Sequence, residues 1–444
     1  MPFASIWFIF FFLPLSLAVY YLAGPRGRTA ALVGISLLFY LLCDPKFLWL
    51  MVLSVTVDYG MYRLMERHDD QNRIRRAICA AVVIKNGLLF LGMSVFTQLR
   101  GSSMPLGLAV YTLTSLGYLV DVYNGDEVYE HSFLRFALLN IFYGKLLSGP
   151  LMRYGQIREQ LREKKYSLSR ISDGAVLFIQ GVAKQVLLGR GLSSLYQELK
   201  AMENTGHSML SVWLLTVSLA LGLYFTLSGY CDIARGLGKM YQLELPRNFY
   251  YPYQSRSITD FVGRFNISVT EFYKQYIYSP LGADLQGGVS SVLNITLVTL
   301  LWGVWFGFRV NFILWALYFT AFIFLERGVW GRLLTRLPVF FTRVYTFAVV
   351  LFSFVIFSGQ SVGESWFYIT SMFGLAGLPP YNDQTLYLFS SYGTPLGLGL
   401  LLSTSAVNMA ASWASKKHPH LTSAVSVVFN VSLLVLTLAF ILNT

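Results

Sequence analysis

Residues 208–229 read SMLSVWLLTVSLALGLYFTLSG and decide the class of fold. This stretch has no charged residue, and it is long enough to cross the hydrocarbon core of a bilayer as a helix, which takes about 20 residues. Other apolar stretches recur along the chain, near residues 3–23, 29–43, 46–62, 77–97, 104–122, 172–195, 290–307, 309–325, 338–358, 384–403 and 423–442. The sequence therefore predicts an all-α polytopic membrane protein.

The composition supports this prediction. Of the 444 residues, 55% are hydrophobic and 13% are charged, whereas a soluble domain carries about 25% charged residues. Disordered chains, collagen-like chains and disulfide-rich secreted scaffolds are excluded by the same figures.

Several apolar stretches are shorter than a full span, and residues 133–151 contain Lys145 and end in Ser148-Gly149-Pro150. We expect about eleven crossings together with short, re-entrant or broken helices.

The basic residues indicate how the chain is oriented. The net charge is +12, which is typical of Lys and Arg gathered in cytoplasmic loops, although attraction for anionic lipid or an acidic partner would also account for it. Residues 3–23 have no basic residue before them and are interpreted as a retained first helix, and Arg26 and Arg28 then place the first loop in the cytoplasm. Residues 63–76 and 152–170 are each predicted to be an amphipathic surface helix or a plain loop. Nucleic-acid binding is not supported, because the basic residues form no continuous face.

No repeat or linker divides the chain, so residues 1–444 are predicted to form a single transmembrane domain. The three cysteines, Cys43, Cys79 and Cys231, have no metal-binding spacing and are interpreted as small buried side chains. We expect no metal site.

The segment 228–290 lacks a clean span but is dense in Tyr, Phe and Gly. A loop of this length in a compact protein is usually functional. Ser257 is predicted to cap one amphipathic helix, with Asp260 and Arg264 as a pair four residues apart. One face of this helix carries the apolar positions Phe261, Phe265, Val269, Phe272 and Tyr276.

At these residues the chain resembles the membrane-bound O-acyltransferase (MBOAT) family, in the bacterial branch that acetylates alginate or loads D-alanine onto teichoic acid. The likeness depends on the order of several motifs. They are FFFLPLSLAVYYL near the amino end, YLVDVY at 118–123, LSGP at 147–150, YFTLSGYCD at 224–232, NF at 248–249, QSRSITDF at 254–261, YIYSPLG at 276–282, the stretch 302–327 and VIF at 355–357.

The resemblance implies a ring of helices around a central tunnel between the two membrane faces, in the inner membrane of a bacterium. An acyl thioester on a carrier protein or coenzyme A would enter from the cytoplasm, and a hydroxyl acceptor from the other side. A histidine at the constriction would act as general base, since its pKa lies near neutrality. No other cofactor is implied. The expected partners are membrane lipids and an acyl carrier protein or another envelope-modification subunit at the cytoplasmic face.

The sequence departs from the family at all three histidine motifs. The forms RWHIS, LWHG and WGLYHG are here Arg264-Phe265-Asn266-Ile267-Ser268, Val304-Trp305-Phe306-Gly307 and Trp315-Ala316-Leu317-Tyr318-Phe319-Thr320. Asn266, Phe306 and Phe319 therefore stand where histidines are expected. Phenylalanine has no titratable group, and asparagine accepts no proton near neutral pH. The two phenylalanines also add bulk, and we expect them to narrow or block the tunnel.

The remaining histidines are His68, His131, His207, His418 and His420, which are all predicted to lie in exposed loops. The candidates for lining the tunnel or contacting substrate are Asp232, Asp260, Arg264, Asn266, Trp305, Arg309 and Tyr318. A structural ion pair between Asp260 and Arg264 and snorkelling of Arg309 are the alternatives to such roles.

Three hypotheses follow. In the first, the chain is a catalytically impaired pseudo-acyltransferase that serves as a partner or binding subunit, because general base catalysis contributes about 10²–10⁴-fold to the rate. In the second, it is an active O-acyltransferase in which Asn266 orients the acceptor or stabilises an oxyanion. In the third, it is a lipid or glycan translocator, which the absence of an internal repeat disfavours.

Overall fold

The computed structural model describes residues 3–162, 166–203, 206–282, 288–307 and 309–443. Across these residues the regular structure is helical, and the one β-type contact is an isolated bridge between Phe249 and Phe265. The chain divides into two compact units, Met1–Gly181 with Tyr230–Arg247, and Val182–Gly229 with Asn248–Thr444. The prediction of a single domain over residues 1–444 stays a prediction, because compactness does not test whether either unit folds without the other.

Unit 1 contains the helices of the amino-terminal part of the chain. They are α1 Leu13–Leu22, α2 Gly24–Cys43, α3 Leu48–Arg67, α4 Asn72–Arg100, α5 Leu108–Asn124, α6 Phe133–Ile141, α7 Tyr143–Leu146, α8 Tyr154–Arg162 and most of α9 Leu168–Ala183. The segment 133–151 is short, as predicted, because α6 and α7 are both too short to span a bilayer. The polar stretch 63–76 forms a helix end, a turn and a helix start, whereas α8 occupies part of 152–170.

Unit 2 contains the remaining helices and the first part of α11, up to Gly229. They are α10 Gly191–Lys200, α11 Met209–Met240, α12 Ile258–Arg264, α13 Ile267–Tyr273, α14 Gly288–Trp305, α15 Val310–Arg327, α16 Val329–Arg336, α17 Val339–Ser358, α18 Val362–Met372, α19 Asp383–Ser391, α20 Gly393–Leu402, α21 Ala406–Lys417 and α22 Pro419–Leu442. Short π-helical segments occur at Lys184–Arg190 and Lys274–Tyr278.

The prediction of an all-α polytopic membrane protein is confirmed. In the described ranges, seven helices are long and apolar enough to cross a membrane, and a pair bent by 63° at α20 and α21 makes eight if it is one span. The seven are Gly24–Cys43, Asn72–Arg100, Leu168–Lys200, Met209–Met240, Val310–Arg327, Val339–Ser358 and Pro419–Leu442. Shorter apolar helices, Phe8–Leu22 and Ser290–Trp305, bring the number closer to the expected eleven or so. Their arrangement as a ring around a tunnel stays a prediction.

Candidate functional site

The first motif follows helix α12, which begins as the sequence predicts. Ser257 is the N-cap, and its Oγ accepts a hydrogen bond from the backbone N–H of Asp260 at 3.0 Å. Asp260 and Arg264 form the predicted pair, with 2.6 Å between Oδ1 and Nε, and both side chains are about one-third exposed. The guanidinium of Arg264 also lies over the ring of Tyr250, 5.6 Å from its centroid. These contacts favour the interpretation of Asp260 and Arg264 as a structural pair.

The prediction of one continuous helix after Ser257 is wrong. Helix α12 ends at Arg264 and α13 begins at Ile267, because Asn266 adopts a left-handed backbone conformation with φ of 55°. A left-handed residue cannot continue a right-handed helix, and asparagine is one of the few residues that tolerate this conformation. The alignment of Phe261 and Phe265 with Val269 and Tyr276 on one helix face is therefore lost.

The break at Asn266 is held by Asn248. The Nδ2 of Asn248 donates to the Oδ1 of Asn266 at 2.7 Å, and its Oδ1 accepts from the backbone N–H of Ser268 at 2.7 Å. The backbone oxygen of Asn248 accepts from the N–H of Ile267 at 2.9 Å. Asn266 is buried. Its side-chain oxygen thus has a partner within the protein, which gives Asn266 a structural role in the turn.

The second and third motifs lie on two helices that pack closely. The half-buried Trp305 ends α14 and Phe306 follows it directly, whereas Tyr318 and the fully buried Phe319 lie on α15. Gly303 permits this packing, because a Cβ at that position would stand 2.7 Å from the backbone oxygen of Phe312. Tyr318 points its hydroxyl to the backbone oxygen of Val349, at 3.0 Å.

Aromatic rings occupy the space that these motifs share, and we call them the aromatic cluster. Its members are Phe261, Phe265, Trp302, Phe306, Trp315, Phe319, Phe354 and Phe357. Trp302 and Trp315 stack with 4.7 Å between ring centroids, and Phe306 meets Trp315 edge to face at 5.6 Å. Phe319 meets Trp315 at 4.9 Å. The two phenylalanines at the motif positions are therefore packed against the same indole ring.

The cavity inside the aromatic cluster is very small. Leu223, Leu227 and Ser353 complete its walls, and about 10 Å³ remains in which the centre of a water molecule could lie. This volume is at the lower limit for holding one water. Among the described residues that line it, none is titratable near neutral pH. The buried indole N–H groups of Trp302 and Trp315 have no acceptor in the described part of the chain, and an indole can donate a hydrogen bond but cannot take up a proton.

The other predicted site residues lie outside this lining. Asn266, Trp305 and Tyr318 belong to the motifs but are not in the cavity wall. Arg309 is the exposed N-cap of α15. Asp232 belongs to unit 1, where its Oδ1 accepts from Arg235 at 3.2 Å.

The prediction that all five histidines are exposed is wrong for His207. His207 is fully buried, its Nδ1 lies 3.0 Å from the Oγ of Ser211, and its ring meets Tyr368 edge to face. Burial and the nearby charge of Lys200 lower the pKa of His207. It is buried because it lies in the short connection before α11, where Met209 and Leu210 donate backbone hydrogen bonds to the 379–380 segment. His68 is half-buried, and the other three histidines are exposed.

Sequence reasoning also missed the chemistry of Lys145. Its side chain is fully buried in unit 1, and its Nζ donates to the Oγ1 of Thr114 at 3.0 Å and to the backbone oxygen of Leu139 at 2.5 Å. Burial lowers the pKa of Lys145 to about 7. The position of this lysine inside an apolar stretch, next to Ser148-Gly149-Pro150, is the sequence feature that could have predicted its burial. Across the ranges that the structure describes, no group of three or more His, Cys, Asp or Glu residues could hold a metal ion.

The apolar helices define a multi-pass membrane protein, and the described lining of the small cavity in unit 2 has no side chain that titrates near neutral pH. The family model described as MBOAT, membrane-bound O-acyltransferase family, matches residues 107–365. The chain belongs to this family, and the three altered motifs lie inside the matched region.

Three named relatives illustrate the similarity. The probable alginate O-acetylase AlgI of Pseudomonas fluorescens is 30% identical over 371 residues, which cover 82% of this chain and 73% of the relative. The peptidoglycan O-acetyltransferase of Helicobacter pylori is 25% identical over 421 residues, covering 84% and 79%. The teichoic acid D-alanyltransferase of Bacillus subtilis is 24% identical over 280 residues, covering 57% and 69%.

Proposed function

We propose that this chain is a catalytically impaired O-acyltransferase that acts as a partner or binding subunit in the O-acylation of a cell-envelope polysaccharide or secreted metabolite. The observation that carries the proposal is the aromatic cluster, in which Phe306 and Phe319 line a cavity whose described wall has no titratable side chain. A general base must lie within hydrogen-bond reach of the hydroxyl that it activates. The described lining offers two indole donors and one serine, and none of these groups is a base.

The chain matches the family in sequence, while aromatic rings fill the space between the altered motifs. Phe319 is fully buried and stacks on Phe261 at 6.0 Å, so the added ring is packed as a core residue. A cavity of about 10 Å³ has no room for a thioester and a hydroxyl side by side. These two facts support a role in binding or assembly instead of turnover.

The proposed location is the inner membrane of a bacterium, with the basic ends of the unit 2 spans in the cytoplasm. Arg327 ends α15, Arg332 and Arg336 lie on α16, and Arg343 lies near the start of α17. This concentration of arginine is typical of the cytoplasmic side. The proposed partner at this face is an acyl carrier protein or another envelope-modification subunit. The relatives named above, which act on alginate, peptidoglycan and teichoic acid, support an envelope polymer as the target of the system.

An acyl-transfer assay tests the proposal. The purified wild-type chain is placed in liposomes with radiolabelled acetyl-coenzyme A, and alginate and peptidoglycan fragments are offered as acceptors. The probable alginate O-acetylase of P. fluorescens and protein-free liposomes are the two controls. We expect label transfer by the wild-type chain to equal that of the protein-free liposomes. Transfer clearly above this background would contradict the proposal.

Variants in the same assay, together with a transport measurement, test the two alternatives, an active acyltransferase and a translocator. If the wild-type chain transfers acetyl groups, an active mechanism that depends on Asn266 requires that Asn266→Ala abolish the transfer. The variant with Asn266→His and Phe306→His tests whether the lost bases alone explain the impairment; the packed Phe319 makes us expect no full recovery. A translocator would move fluorescent lipid or labelled glycan across the liposome membrane without acyl transfer.

A further inference from the structure

A second cavity lies at the basic end of unit 2, and no residue of the altered motifs is in its described wall. It has a volume of about 700 Å³ and is formed by the segment before α12, the end of α15, helix α16 and the start of α17. Polar and apolar side chains both line it, among them Arg256, Glu326, Arg327, Arg332, Leu334 and Leu337. We call it the arginine pocket.

The arginine pocket is positively charged. Arg256 and Arg332 are exposed, and neither guanidinium has an ion-pair partner within the described ranges. Arg327 donates to Ser291 at 2.9 Å and to Tyr278 at 3.1 Å, which fixes its guanidinium at the pocket wall. A guanidinium presents several N–H donors in a planar fork that fits a phosphate better than it fits a single carbonyl oxygen.

The only acidic group in the described wall is already occupied. The carboxylate of Glu326 accepts hydrogen bonds from the backbone N–H groups of Ile258, at 2.6 Å, and Thr259, at 3.1 Å. It also accepts from the hydroxyl of Tyr345 at 3.3 Å. Glu326 therefore secures the start of α12 and makes no ion pair with Arg256 or Arg332, so the pocket keeps an excess of positive charge.

The apolar part of the pocket wall favours a lipid over a soluble anion as the ligand. Leu334, Leu337 and Val339 line the pocket beside the arginines. Around it, α16 and the start of α17 expose further large apolar side chains, among them Leu333, Phe340 and Phe341, with Phe340 69% exposed. A short helix with arginines on one side and leucines on the other is typical of the membrane interface, where acyl chains and headgroups meet.

From this combination, we propose that the arginine pocket binds the phosphate of an anionic phospholipid, with Arg256 and Arg332 on the phosphate and Leu334, Leu337 and Val339 against the first part of the acyl chains. The proposal does not depend on whether the chain is catalytically active. It adds a lipid site at the face where the proposed partner would dock.

Lipid binding by the full chain in nanodiscs tests the proposal. Nanodiscs of phosphatidylcholine receive increasing fractions of phosphatidylglycerol, and the midpoint of thermal unfolding is followed for the wild-type chain, for Arg256→Gln with Arg332→Gln, and for Arg336→Gln. Arg336 is the matched control, because it is an exposed arginine of α16 outside the pocket wall. We expect phosphatidylglycerol to raise the unfolding midpoint of the wild type and of the control. The double variant should need at least a tenfold higher fraction of phosphatidylglycerol in the nanodisc for the same rise.

Two further measurements keep the result decisive. Glycerol 3-phosphate and inorganic phosphate are added to phosphatidylcholine nanodiscs, and stabilisation equal to that by phosphatidylglycerol would overturn a lipid in favour of a soluble phosphate. A photoreactive phosphatidylglycerol is cross-linked to the wild-type chain. This measurement does not depend on whether any variant folds. We expect labelled peptides from residues 329–342. Labelling absent from these residues, or equal phosphatidylglycerol dependence of the double variant and the control, would overturn the proposal.

Discussion

Asn266 accepts a hydrogen bond from Asn248, with 2.7 Å between Oδ1 and Nδ2, at the position where the resemblance predicts the first motif histidine. The backbone of Asn266 is left-handed, with φ of 55°. The hydrogen bond and the backbone conformation together explain why asparagine suits this position without any role in proton transfer.

Replacement of Asn266 is expected to lower stability in a defined order. Asn266→Ala loses the hydrogen bond, about 1 kcal/mol, and alanine lacks the short polar side chain that lets asparagine tolerate the left-handed region, which costs up to a further 1–2 kcal/mol or so. Asn266→Gly loses only the hydrogen bond, since glycine adopts positive φ readily. Thermal unfolding in detergent should rank wild type above Asn266→Gly and Asn266→Ala last. Equal midpoints for the two variants would contradict the importance of the backbone conformation.

Truncation of Phe319 is expected to be costly, because the ring is fully buried in the aromatic cluster. Phe319→Ala should lower the free energy of unfolding by about 3 kcal/mol, the low end for a core phenylalanine, because helices in a bilayer gain mainly packing contacts. Phe324→Ala on the same helix is the control, since Phe324 is 47% exposed. Similar losses from the two changes would show that the cluster is not tightly packed.

The buried Lys145 predicts an unusual pH dependence. Burial lowers its pKa to about 7 in the folded chain, whereas an unfolded lysine titrates near pH 10.4, roughly. Between these values the unfolded state binds more protons, so stability should rise with pH, by at most about 1.4 kcal/mol for each pH unit.

Lys145→Met should remove this rise of stability with pH, because methionine has no group that binds or releases a proton. Thermal midpoints measured from pH 7 to pH 10 give the slope, and Lys46→Met is the control, since Lys46 is exposed. A slope that Lys145→Met leaves unchanged would exclude the buried lysine as its source.

Chemical modification should distinguish His207 from the exposed histidines. Diethyl pyrocarbonate is expected to modify His131, His418 and His420 in the native chain and His207 only after denaturation, because His207 is fully buried. Peptide mass spectrometry measures the extent of labelling at each site. Rapid labelling of His207 in the folded protein would place it on an accessible surface.

The cap of α12 shows what local sequence is able to predict. Ser257 and the Asp260–Arg264 pair are correct because both depend on contacts within one helical turn. The continuation past Arg264 was predicted wrongly, because the apolar spacing carries no information about Asn248, which lies 18 residues before Asn266 and stabilises the break.

The sequence by itself determined the membrane class, the family and the three motif positions without histidine, because apolar run length and motif order are local properties of the chain. Only the tertiary structure decided that Phe306 and Phe319 meet the same indole, that His207 is buried, and that Arg256 and Arg332 border one pocket. The burial of His207 and the shared pocket depend on segments far apart in sequence packing together. The contacts at Trp315 depend on how the end of α14 packs against the neighbouring α15. Residue spacing along the chain encodes neither arrangement.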